Sequence, residues 1–119
     1  MNCPRCREAI EGDQVAQCSR CNGSWIPDSV VEGRIAEVQG RKRAKLDWMH
    51  DKRDALPCAM CGQLMETQLL FEVPVDRCRT HGVWFDSLEL ERVLNAAGRR
   101  GGGHGRTIID AVLDLFWLT

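Results

Sequence analysis

The chain has 119 residues, with 16 Lys and Arg against 17 Asp and Glu and a formal net charge of −1, a balance from which broad electrostatic affinity for phosphate backbones is not expected, although a local basic patch can still touch nucleic acid. Apolar residues make up 44%, yet no run reaches the roughly 18 that a bilayer span needs, which excludes an integral helical membrane protein. Met1 is followed almost at once by Cys3 with no apolar segment before it, so no signal peptide is expected and the reading is a cytoplasmic protein, where cysteines serve as metal ligands more readily than as disulfides.

In chain order, Cys3 with Cys6 and Cys18 with Cys21 come first, each pair separated by two residues, and the segment 14–17 between them reads as a short strand. Trp25 follows, and Asp28 opens a charged stretch, 28–57, predicted as a helical linker that is interrupted at Gly33 or Gly40 and ends at Pro57. Val31, Ile35, Val38, Leu46 and Met49 lie along its apolar stripe. Arg41, Lys42, Arg43 and Lys45 invite a nucleic-acid reading, but Asp28, Glu32, Glu37, Asp47, Asp51 and Asp54 are interleaved with the bases of the same stretch, the pattern of a solvated helix face. His50 has no ligand spacing to another histidine or cysteine and reads as a surface residue.

The second half begins with Cys58 and Cys61, continues with a hairpin expected over 64–72 and 75–78 with Pro74 near its turn, and reaches Cys78 and His81. Asp86 and Glu89 have the spacing of a helix N-cap and its capping-box partner, and Leu88, Leu90, Val93, Leu94 and Ala97 then recur at helical spacing until Gly98 ends the run. Residues 99–106 are a glycine- and arginine-rich tether that includes His104, and 107–119 are a short, strongly apolar helix candidate with Thr107 as its N-cap. That segment either folds back onto the preceding residues or docks elsewhere through Ile108, Val112, Leu115, Phe116 and Trp117.

Seven cysteines and His81 thus form four pairs with none left over. A two-residue gap aims both side chains at one point, and two such turns make the tetrahedral cage that zinc takes at a structural site. The spacing assigns Cys3, Cys6, Cys18 and Cys21 to one ion and Cys58, Cys61, Cys78 and His81 to a second, so the cofactors are two Zn2+ ions; with seven thiolates ionised, the loaded protein carries about −4. Four thiolates also suit iron, but His81 in the second set favours zinc. A redox CxxC would stand alone at a strand-to-helix turn rather than with a distant partner pair.

The order of features repeats. CPRC, CSRC and NGSWIPDSVVE are followed by CAMC, CRTH and GVWFDSLELE, each copy giving a glycine, a tryptophan and a nearby aspartate, Asp28 or Asp86, after its fourth ligand. Both copies resemble the TFIIB-like zinc-ribbon family, small and mostly bacterial domains with the pattern CPxC, hairpin, CxxC or CxxH, glycine, then W-[LF]-D-x-x-E-L. The second copy matches through Trp84, Phe85, Asp86, Glu89 and Leu90; in the first, Pro27 intrudes before Asp28, and Val30 and Val31 stand in place of the Glu-Leu pair. The resemblance implies zinc binding and a small ribbon fold, and implies little about function.

The fold class read from these features is α+β and metal-stabilised: ribbons at 1–27 and 58–98, a helical linker over 28–57, the tether, and the C-terminal helix. Units of about 40 residues rarely fold without metal or disulfides. Trp25, Trp84 and Phe85 cover the sulfur-rich flanks as a mini-core or, alternatively, form a partner-binding stripe. Two four-ligand sites supply no vacant coordination position, so the chain is expected not to be an enzyme. The expected function is a zinc-binding adaptor or regulatory protein that contacts another protein, or a second copy of itself, through the C-terminal helix. The alternatives are a nucleic-acid-binding accessory factor of transcription or translation and an accessory subunit of an enzyme.

Overall fold

Trp25 and Trp84, the tryptophans that follow the fourth ligand of each repeat, face one another across the middle of a single sheet. A computed structural model describes residues 1–12, 14–46, 48–50 and 56–101. In chain order these form β1 (Ala16–Gln17), β2 (Ser24–Ile26), α1 (Asp28–Gln39), β3 (Trp48–His50), β4 (Glu66–Leu70), β5 (Val73–Cys78), β6 (Gly82–Phe85) and α2 (Glu89–Gly101). The protein is a small α+β structure whose six strands run in the order β1-β2-β6-β5-β4-β3, every neighbour antiparallel.

The central joint is β2 against β6, with Ser24 opposite Phe85, Trp25 opposite Trp84 and Ile26 opposite Val83. Aligning the repeats on their tryptophans makes Ser24 equivalent to Val83 and Ile26 to Phe85, so this pairing is what a two-fold axis through the tryptophan pair produces. The boundaries expected at 27 and 57 therefore fall inside one continuous arrangement: the two repeats share a sheet instead of forming separate ribbons on a linker. Strands of three and four residues give the reason. Neither can bury a tryptophan alone, whereas side by side both rings reach 0% exposure.

Side chains alternate across the sheet. Ile26, Val83 and Phe85 point to one face, where they meet Val31, Ile35 and Val38 of α1 and Leu90, Val93, Leu94 and Ala97 of α2 in one buried cluster. Trp25 and Trp84 point to the other face, into a second cluster made with Cys3, Cys18, Cys58, Ile10 and Met65. Two glycines allow the close approach between repeats. A Cβ on Gly23 would lie 2.2 Å from Trp84 Cζ2, and one on Gly82 would lie 2.6 Å from the carbonyl oxygen of Ile26.

Three elements differ from the sequence expectation. The helix expected over 28–57 stops at Gly40, one of its two expected interruption points, and is not resumed at Trp48–His50; Gly40 adopts φ 66°, its N–H donates to Glu37 O at 3.1 Å and the Arg41 N–H to Ala36 O at 2.9 Å, a Schellman closure. Trp48–His50 then form a strand on β4, which leaves Met49 54% exposed and outside the expected stripe. In the β4–β5 hairpin the turn is Phe71-Glu72, with φ 51° and 66°, and Pro74 lies within β5 opposite Leu69. That pair is next to the Leu70–Val73 pair that closes the turn, so it is a non-hydrogen-bonded position on the β4 side and the missing N–H costs no bond to β4.

The third difference is α2, which runs through Gly98 to Gly101. A Cβ at Gly98 would stand 3.4 Å from Val38 O, an ordinary contact, so α2 packs on α1 here without requiring glycine. Leu88 falls outside the apolar stripe, with φ 71° and 59% exposure. Among the described residues no helix is long and apolar enough to cross a membrane. His104, most of the tether and the helix expected over 107–119 lie outside the described residues.

Candidate metal centres

Three of the four two-residue gaps build a tight knuckle with a shared backbone pattern; in the fourth the His81 N–H donates to Cys78 O at 3.1 Å. Cys3, Cys18 and Cys58 donate their N–H groups to the carbonyls of Glu8, Gly23 and Gln63, and their own carbonyls accept from Arg7, Asn22 and Gly62 at 2.9, 2.8 and 3.0 Å. Those last three residues are all left-handed, at φ 63°, 60° and 75°. The turn needs that conformation whatever side chain stands there, and only Gly62 takes it without strain. Backbone N–H groups of Cys6 and Met60 point at Cys3 Sγ and Cys58 Sγ, both at 3.3 Å.

The knuckles bring Cys3, Cys6, Cys18 and Cys21 together, and Cys58, Cys61, Cys78 and His81, with the ligand atoms of each group within 4.8 Å of one another. All seven cysteines are free thiols. Cys3 and Cys21 sulfurs lie 3.7 Å apart, Cys6 and Cys18 3.9 Å, and Cys61 and Cys78 4.0 Å. A tetrahedron with metal–sulfur bonds of about 2.3 Å has edges of about 3.8 Å, so the spacing fits a four-coordinate ion. His81 presents Nδ1 to Cys78 Sγ at 3.4 Å and to Cys58 Sγ at 3.8 Å, around the edge of about 3.5 Å that one shorter metal–nitrogen bond gives. Both clusters could hold a metal ion through these eight side chains.

Without a metal, protons distribute unevenly. Burial pushes the Cys58 thiol up to about 11 and the Cys6 thiol up to about 12, and raises Cys3 as well. Backbone hydrogen bonds from Cys21 and Arg20 hold Cys18 down at about 7, and one from Gln63 lowers Cys61. Each cluster thus carries one thiol already inclined to ionise, and metal entry must displace the remaining protons.

The two centres are joined. Asn2 N–H donates to Ala59 O at 3.0 Å, and Cys3, Cys18 and Cys58 belong to the same buried cluster as both tryptophans. Arg5, on the first knuckle, forks onto Asp86 beyond β6, its Nε on Oδ1 and its Nη2 on Oδ2 at 2.6 Å. Asp86 Oδ1 also accepts from Trp84 Nε1 at 3.1 Å, and the Asp86 N–H donates to Glu89 Oε1 at 2.7 Å. Half of the expected capping box is therefore present, but the Asp86 carboxylate serves the other repeat. Burial, with Asp86 and Asp76 nearby, pushes Glu89 up to about 7.

The first repeat lacks the equivalent bond. Pro27 moves Asp28 one place along, where its Oδ2 takes Arg77 Nη2 at 3.4 Å, and buried Trp25 Nε1 has no hydrogen-bond partner among the described residues. No family model, curated protein or solved structure matches the chain. The centres therefore stand on their geometry.

Sequence spacing picked out the eight side chains that the structure brings together in two groups, but not the supports around them. Arg5 looks like any surface arginine, and its tie to Asp86 crosses 81 positions of the chain. The left-handed residues carry no common side chain. Ile108, Val112, Leu115, Phe116 and Trp117, the expected partner contacts, lie outside the described residues.

Proposed function

We propose that the protein is a non-catalytic, zinc-binding adaptor or regulatory protein, with one Zn2+ held by Cys3, Cys6, Cys18 and Cys21 and a second by Cys58, Cys61, Cys78 and His81. The observation that carries this reading is that each cluster offers four sulfur or imidazole ligands at tetrahedral spacing, so an ion there is coordinatively complete and has a structural role. His81 in the second set favours zinc over iron. The repeated knuckles and the sequence W-F-D-x-x-E-L from Trp84 support kinship with the TFIIB-like zinc ribbons. Thiols kept free for metal suit a reducing compartment such as the cytoplasm. In this reading Ile108, Val112, Leu115, Phe116 and Trp117 engage another protein or a second copy of the chain.

Elemental analysis of the purified chain tests the metal assignment: two zinc ions per chain are expected, and one, none, or an iron absorption band contradicts it. Light scattering and affinity capture with and without residues 107–119 test the contact. Association that depends on those residues is expected; a monomer that captures the same proteins in both forms removes the role given to residues 107–119, and one that captures none removes the adaptor reading.

A further inference from the structure

The basic run 41–45 has a fixed shape. The Schellman closure at Gly40 turns the chain away from α1, and Gln39, only 2% exposed, then clamps the far end of the run: its Nε2 donates to Lys45 O at 2.9 Å and its Oε1 accepts the Lys45 N–H at 2.7 Å. Both ends of the amide are used as in a strand pair, so the loop is held by its backbone and its side chains are free to point outward. Arg41, Lys42, Arg43 and Lys45 are all exposed. The contact of Gly98 with Val38 brings the exposed Arg99 of α2 to this same end of the molecule.

None of these five cations has an ion-pair partner among the described residues, whereas Arg5, Arg20, Arg34, Arg77 and Arg79 each have an acid. In a chain whose formal charge is −1, unpaired cations are thus concentrated at one end, with Arg7 and Arg92 the other arginines of described side chain that have no ion pair among the described residues. Between the loop and α1 runs an open groove of about 430 Å³, with Lys42 and Arg43 on one wall and Ser29, Gly33 and a single acid, Glu32, on the other.

We propose that this end of the molecule, with Lys42 and Arg43 on the groove and Arg41, Lys45 and Arg99 outside its lining, binds a nucleic-acid strand through its phosphodiester backbone. Several cations on a fixed scaffold match a ligand with regularly repeated negative charge. The contacts are to phosphates and not to base edges, so binding is insensitive to sequence. A membrane surface fits less well: the exposed large apolar side chains among the described residues are Met49, Met60, Leu64 and Leu88, none of them in the loop, and insertion into lipid needs such groups beside the charges. The proposal does not depend on the partner contact proposed for residues 107–119.

Fluorescence anisotropy of labelled 20-nucleotide single strands of unrelated sequence, titrated with the full-length metal-loaded protein, tests it. Binding at 50 mM salt is expected, weakening about fifty-fold at 200 mM if four phosphates are contacted. The triple charge reversal Arg41→Glu, Lys42→Glu, Arg43→Glu should abolish binding, while Arg7→Glu, at an exposed cation on the first knuckle, should change it less than threefold. Gly33→Glu places a negative charge in the groove where nothing lies within 4 Å of the new Cβ, and should weaken binding at least tenfold with no loss of thermal stability. Absence of binding at 50 mM salt, affinities of the triple variant and of Gly33→Glu within twofold of the parent, or binding only to phosphatidylserine vesicles would each overturn the proposal.

Discussion

Replacing Cys78 with alanine removes one ligand from the second cluster, and the informative response is that of the first. If the second repeat unfolds, the first loses the cover that Trp84 gives to Trp25, the β6 edge along Ile26, and the α2 surface against Val31, Ile35 and Val38. Taking only the equivalent of one tryptophan, about 150–250 Å² at about 25 cal/mol per Å², the lost burial is about 4–6 kcal/mol. A repeat of this size holds no comparable reserve of stability, so the deficit must come out of its metal binding free energy. The Cys3, Cys6, Cys18, Cys21 centre should therefore bind zinc about a thousand- to ten-thousand-fold more weakly in Cys78→Ala than in the parent. Competition against a chromogenic chelator measures this directly, with tryptophan emission reporting whether Trp25 becomes exposed. First-site affinity within tenfold of the parent, with Trp25 still buried, would refute the shared-core argument and restore two independent ribbons.

Asp86→Ala removes the acceptor of Arg5 and Trp84 together; it should lower stability by about 2 kcal/mol in thermal melts, and an unchanged melting temperature would show that the tie between repeats contributes nothing. Glu89 is raised to about 7 from an ordinary 4.5, so the stability its protonated form contributes is fully present below 4.5 and is lost as pH rises through 7. Glu89→Gln should consequently gain on the parent between pH 6 and 8 in denaturant titrations, and a constant difference would contradict the shift. Leu88→Gly relieves a left-handed backbone at an exposed side chain and should add about 0.5–1 kcal/mol without altering metal content, whereas a loss would mean that the Leu88 side chain contributes contacts.

What the sequence disclosed follows from how far each signal reaches along the chain. Ligand spacing, the β4–β5 hairpin and the buried face Leu90, Val93, Leu94 and Ala97 are written in neighbouring residues, and they were readable. The β2–β6 joint was not, because three- and four-residue strands buried on both faces show no period-two pattern, and their partners lie in the other repeat. β3 was hidden inside a charged stretch that scans as helix, and only the αL stop at Gly40 and the waiting edge of β4 make Trp48–His50 a strand. The duplication was legible, but as tandem units; two repeats with equivalent tryptophans can be related by an axis as readily as by a tether.

That axis bears on how the chain is made. While the ribosome has released only the first repeat, Trp25 and the β2 edge have no β6 to meet, and the strand stays available until residues 82–85 emerge. A second nascent or refolding chain offers the same β6 sequence, and pairing β2 of one chain with β6 of another uses no contact that the monomer lacks. Such exchange should produce swapped dimers whose share grows with protein concentration during refolding, visible by size exclusion, and which dilution of the native protein does not create. The sequence that connects the repeats thus sets more than their spacing: by keeping β6 at a high local concentration around β2, it makes the closed monomer the faster outcome.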